Sequence, residues 1–114
     1  MLDLMGEKLM IKRLSVDSGI YVIKNKVNNA VYIGQAINIR SRVCHHRSLL
    51  KKGKHTNKLL QADWELFGEE SFSVKTVKKV SKKNLTIHER NVLQQYIMDG
   101  FFVYNSKIEI EWED

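Results

Sequence analysis

Apolar residues in this chain switch between two spacings. Gly19-Ile20-Tyr21-Val22-Ile23 and Ala30-Val31-Tyr32-Ile33-Gly34 are short continuous runs, separated by the largely polar Lys24-Asn25-Lys26-Val27-Asn28-Asn29. Runs of this length on either side of a turn read as a β-hairpin. Its strands are expected over Ser18 to Lys24 and Ala30 to Gly34, with Val27-Asn28-Asn29 as the turn, because Asn tolerates left-handed backbone angles. Helical spacing then takes over. Asn38 reads as an N-cap for a helix to about Lys52, with Lys51 and Lys52 in its last turn and Gly53 as its stop. A second helix is expected from Asn57 to Phe67, carrying Leu59, Leu60, Trp64 and Phe67, and Gly68 ends it. Ser71 to Val80 alternates, with lysines between apolar positions, as suits a third strand at a sheet edge. A third helix over 84–98 places Leu85, Leu93 and Ile97 on one stripe and stops before Gly100. Phe101 to Tyr104 returns across the core to Asn105. At the ends, residues 1–16 carry Leu2, Met5, Leu9 and Met10, which suit a short helix or an arm. Residues 108–114 alternate apolar and acidic side chains.

The sequence shows no repeat, no proline and no low-complexity linker. With 114 residues and 43% hydrophobic content, it suits one α+β domain with a single core. No apolar run approaches a bilayer span, and the first residues lack a secretory pattern. The single cysteine, Cys44, fits a reducing cytoplasm; it has no metal-ligand spacing and reads as a helix packing residue. The charge pattern adds more. Net charge is +6, and Gln35 to Gln61 contains seven basic residues and no acid: Arg40, Arg42, Arg47, Lys51, Lys52, Lys54 and Lys58. A phosphate backbone and a merely solvated helix face account for this equally well. A membrane surface is disfavoured, because no large aromatic apolar face accompanies the charge.

Several residues are candidates for chemistry. Tyr21 and Tyr32 lie on the two hairpin arms, with Gly19 and Gly34 at its outer ends, where glycine permits close backbone approach. A phenol near pKa 10 is a poor base, and nearby positive charge would lower it. Arg42 and His46 are four apart and share a helix face. Arginine can grip two phosphate oxygens, and histidine can hold a phenol or relay its proton. Periodicity does not choose between Arg42 and Arg40. Glu89 shares a stripe with Leu85 and Leu93, so it needs a partner. Thr86-Ile87-His88-Glu89 is also a capping-box pattern, and local sequence leans slightly that way. Asn105 alone reads as a turn residue and His55 as a solvated loop histidine. No Walker loop, zinc pattern or dinucleotide fingerprint occurs.

Taken together, Gly19-Ile20-Tyr21, Tyr32-Ile33-Gly34, Arg42, His46, Glu89 and Asn105 resemble the GIY-YIG nuclease family in order and spacing. Leu49 to His55 and Lys58 to Gln61 look most like the catalytic domains of phage intron-encoded homing endonucleases. That likeness favours Arg42 over Arg40 and adds His55 to the site. It implies a small three-stranded antiparallel sheet flanked by helices. It implies hydrolysis of DNA, duplex or branched, with one divalent metal, usually Mg2+, for which Mn2+ substitutes. In that scheme Tyr21 activates water, His46 and Tyr32 support the phenol and the phosphate, and Arg42 stabilises the phosphate. Glu89 binds the metal and Asn105 positions the site. Gly19, Gly34, Arg40, Arg47, Lys51 and Lys58 are the expected substrate contacts. The implied layout is an arm over 1–17, a nuclease domain over 18–106 and an acidic tail over 107–114.

Homing enzymes carry a separate DNA-binding domain, whereas nine residues follow Asn105. The chain is therefore expected either to be a stand-alone nuclease of weak specificity or to draw specificity from a separate partner, a homodimer, or the basic helix and the arm. The tail either adds a strand or covers the basic face. A bacterial cytoplasmic setting, with a phage-encoded origin, fits the resemblance. Two other functions compete: a catalytically silent nucleic-acid-binding module of the same fold, and a partner for an acidic protein.

Overall fold

Five consecutive apolar or glycine positions in one strand need cover on both faces, and the computed structural model, which describes residues 11–105, provides it. Strand β1 (Gly19–Asn25) is central, between β2 (Val31–Ala36) and β3 (Phe72–Lys79), and both pairings are antiparallel. Side chains alternate across β1. Tyr21 and Ile23 enter one core cluster with Ile39, Val43, Leu50, Leu60, Trp64 and Phe72. Ile20 and Val22 enter a second with Val31, Ile33, Leu85 and Leu93. Helices α1 (Ile39–Lys52) and α2 (Lys58–Phe67) supply the first cluster, and α3 (Leu85–Met98) supplies the second. The α+β class and the three-stranded antiparallel sheet are as expected.

Local signals set the boundaries. The Asn38 side chain accepts from Ser41 N at the start of α1, and Asn57 accepts from Leu60 N at the start of α2. Gly53 closes α1 in the left-handed region (φ 73°), and its N–H reaches the carbonyls of Leu49 and Leu50. Asn29 takes φ 64° in the hairpin turn. Strand β2 runs two residues past its expected end, because Gln35 and Ala36 pair with Ile20 and Gly19. Strand β3 lies at the sheet edge as expected, and its register shifts opposite Ile20 and Tyr21, leaving Val77 as an extra residue.

Four expectations need correction. Thr86 does not cap α3, because the helix begins at Leu85 and its N-cap position, Asn84, makes no side-chain cap bond. Ile97 leaves the stripe and is 43% exposed, and Leu59 of α2 is exposed too. Cys44 is exposed rather than packed, since α1 buries Val43 and His46 on its inner side. The 101–105 return does not cross the core. It runs along the outer edge of β2, where Val31 N donates to Phe102 O (3.0 Å) and Tyr104 N to Val31 O (2.7 Å). Phe102 faces out and Tyr104 in.

At the start, Ile11–Arg13 forms one 3-10 turn, and Ile11 and Leu14 join the first core cluster. The expectations for residues 1–10 and 106–114 lie outside the described residues. No helix among the described residues is long and apolar enough to cross a membrane.

Candidate active site

The hairpin register brings the tyrosines together. Tyr21 pairs with Gly34 and Ile23 with Tyr32, so the two phenols lie diagonally on the face covered by α1 and α2. A Cβ at position 34 would stand 2.3 Å from the Tyr21 ring, so the ring lies across Gly34 and needs its bare backbone. Tyr21 is 1% exposed. Gly19 serves packing too: its missing Cβ would meet Lys78 O at 2.2 Å across the β1–β3 pair.

Helix α1 brings His46 over this pair. Tyr21 Oη and His46 Nε2 are hydrogen bonded at 2.5 Å, and His46 Nδ1 lies 2.7 Å from His55 Nε2. His46 is 4% exposed and His55 3%. The solvated loop histidine expected at 55 is therefore corrected: Gly53 turns the chain inward, and His55 N–H donates to Gln61 Oε1 on α2 (2.9 Å). Tyr32 packs its ring edge-on against both imidazoles.

Burial dominates the electrostatics. It holds the Tyr21 phenol well above its ordinary value, with Tyr32 adding to the rise; Arg42, by hydrogen bond and charge, works against it. The expected lowering of this phenol by positive neighbours is thus overridden by desolvation. Burial also lowers His46 to about 3, helped by His55, Arg42 and His45. The same cause lowers His55, so both imidazoles are neutral at pH 7.

Arg42, in the first turns of α1, is near enough to the Tyr21 hydroxyl for its charge to favour phenolate. Glu89 comes from the opposite side of the sheet, on α3, where its carboxylate accepts from the Gln35 side chain at the end of β2. There Gln35, Ile37, Asn38, Ser41, Arg42 and His45 line an open hollow of about 460 Å3. Glu89 is close enough for its charge to raise the Tyr21 phenol. Among the described residues, no three of His, Cys, Asp and Glu converge as a metal cage. Mg2+ does not require one, since it commonly binds through one or two carboxylates, waters and a substrate phosphate. Glu89, beside an open hollow, fits that donor set. Asn105 behaves like an added strand residue: its Nδ2 donates to Ile33 O (2.8 Å), and its Oδ1 accepts from Ile33 N (2.9 Å).

The remaining candidates sit apart. Arg40 donates to Leu14 O (3.0 and 3.2 Å) and ties α1 to the N-terminal segment. Arg47 pairs with Glu69 at 2.7 Å. Lys51 and Lys58 are exposed, at the end of α1 and the start of α2. Sequence reasoning missed Gln35, Asn57 and Gln61. Each is an ordinary polar residue whose role depends on a contact distant in the chain or on backbone geometry.

The sequence profile of the GIY-YIG catalytic domain matches residues 17–112. The chain belongs to the GIY-YIG nuclease family. Among its GIY-YIG relatives is intron-associated endonuclease 1 of Enterobacteria phage T4. The two are 36% identical over 75 residues, which is 65% of this chain and 30% of the relative. The chain thus aligns with under a third of that relative's length. The catalytic domain of homing endonuclease I-TevI matches with a TM-score of 0.69 at 26% identity, over 79% of this chain and all of the solved one. A point mutant of that domain matches at 0.64 and 30% identity, over 68% and 81%. The sheet and its three helices are therefore those of a GIY-YIG catalytic domain.

Proposed function

We propose that this GIY-YIG domain hydrolyses DNA phosphodiester bonds with a divalent metal, Mg2+ or in its place Mn2+. The observation that carries the reading is the Tyr21 hydroxyl, held by His46 and near Arg42, which lines the hollow. Tyr21 orients the attacking water and takes its proton as the new P–O bond forms, its own proton having passed to bulk water beforehand. Arg42 turns from the phenol towards the phosphate and offsets charge growing on its oxygens. His46 and Tyr32 keep the phenol in place, and His55 backs His46. Asn105 fixes β2, and with it Tyr32 and Gly34. Glu89 holds the metal, with Gln35 orienting its carboxylate. When bound, the cation neutralises Glu89, polarises the phosphate and stabilises the leaving 3′ oxygen.

Residues 18–106 form the catalytic unit, and Lys51 and Lys58 meet the DNA backbone. Arg40 and Arg47, tied to Leu14 and Glu69, contribute mainly to the local positive potential. Specificity comes from a separate partner, a second copy, the basic face of α1, or chain outside residues 18–106. Because the aligned T4 relative is far longer, its whole activity is not carried over.

Nicking of supercoiled plasmid with and without Mg2+ tests this. The expected result is metal-dependent nicking that falls by about 10²-fold or more in Glu89→Ala while DNA affinity at low salt persists. Cleavage surviving chelation, or undiminished in Glu89→Ala, contradicts it. Binding with no cleavage under any metal favours a silent module.

A further inference from the structure

The buried histidine pair has a direction. The Asn57 backbone N–H can only donate, and it donates to His55 Nδ1 at 3.0 Å. An Nδ1 that accepts carries no proton, so neutral His55 keeps its proton on Nε2. That nitrogen lies 2.7 Å from His46 Nδ1 and must donate to it. His46 Nδ1 is then the acceptor, and the His46 proton resides on Nε2, 2.5 Å from Tyr21 Oη. Ring geometry agrees. The imidazoles are within 21° of coplanar, with centroids 4.9 Å apart but nitrogens in contact, an edge-to-edge arrangement with the proton in the shared plane.

We infer that the Asn57 amide, His55 and His46 form a one-way chain of N–H donors ending on Tyr21 Oη. His46 therefore holds the phenol oxygen as a donor and cannot take its proton, and His55 is the positioning residue that fixes this. The inference rests on Tyr21 being the base only for its catalytic consequence; the hydrogen-bond direction stands on geometry alone. Protonating His55 would set an Nδ1–H against the Asn57 N–H, and burial already disfavours that charge. Gln61 holds the His55 backbone, accepting its N–H while donating to Leu50 O (3.0 Å). The nearby Arg42 charge also acts on the Tyr21 oxygen. The His46 donor and the Arg42 charge both favour phenolate, against the burial that holds the phenol protonated in the free protein. In catalysis the Tyr21 proton therefore does not pass into the imidazoles.

Long-range 1H–15N spectra of the full chain with 15N-labelled histidine, at pH 7, read the tautomers without substrate. Both His46 and His55 should carry the proton on Nε2. A His46 proton on Nδ1, or a charged His46, overturns the inference. Two variants test the positioning role. His55→Gln keeps a donor near the same point, so the His46 Nε2–H signal should remain and cleavage should fall less than about 10-fold. His55→Leu removes the donor, so His46 should lose its single tautomer and cleavage should fall about 10²-fold at matched folded fraction. A His55→Leu protein with an unchanged His46 signal and full cleavage also overturns it; if that variant does not fold, the wild-type spectrum decides. The expected tautomers in a protein that cuts no DNA would uphold the chain of donors while sinking the nuclease reading.

Discussion

Tyr21 sits where a base is hardest to make, since a phenol with 1% exposure pays the full cost of losing solvent when ionised. His46 and Arg42 are the compensation, and they must stay uncharged and charged respectively. The state of His46 can be tested through stability. Its folded value is about 3 against 6.5 in the unfolded chain. The unfolded state therefore binds the proton first as pH falls, and stability is complete above about 6.5 and lost towards 3. Chemical denaturation between pH 7 and 4 should show a loss of up to about 1.4 kcal/mol per pH unit from this residue. His46→Gln should flatten that slope; an unchanged slope means the imidazole is not buried neutral. The paired tyrosines and glycines were legible in the sequence, because hairpin register follows from alternation and turn length. The burial of His55 was not, since it depends on Gln61 of α2 taking its N–H and on His46 facing it.

Caps and turns were the most readable elements. Asn38 and Gly53 act locally, so their signals survive in one sequence. The start of α3 misled for the same reason: Thr86 and Glu89 make a local capping pattern, yet Gln35 claims the carboxylate from across the sheet edge. Asn105 was equally opaque. Its amide serves both backbone groups of Ile33, a partner 72 residues away. Asn105→Ala should leave a buried N–H and C=O of Ile33 unpaired, at about 1–3 kcal/mol for each group. Thermal melts should show the loss, and cleavage should fall with it as β2 loosens under Tyr32. A melt equal to wild type would mean that another group or water replaces the amide.

Across the whole molecule the sheet works as a divider. Phenols and imidazoles lie on one face and the carboxylate comes from the other, where Gln35 at the end of β2 holds it. Composition foresaw the basic character of α1 but not which charges are already engaged. Lys51 and Lys58 are exposed at neighbouring helix ends, whereas Arg47 is paired with Glu69. Replacing both lysines with glutamine should weaken DNA binding and flatten its salt dependence by about two charges. The cleavage rate of fully bound DNA should stay near wild type; a lost rate at saturation would place these lysines in the chemistry. The most direct test compares single-turnover cleavage of saturating plasmid DNA, with Mg2+, by wild type and Tyr21→Phe. With a melt matching wild type, the variant should be slower by about 10²-fold or more, because only the buried hydroxyl is missing. Equal rates would mean that the phenol is packing, and that the water is activated elsewhere.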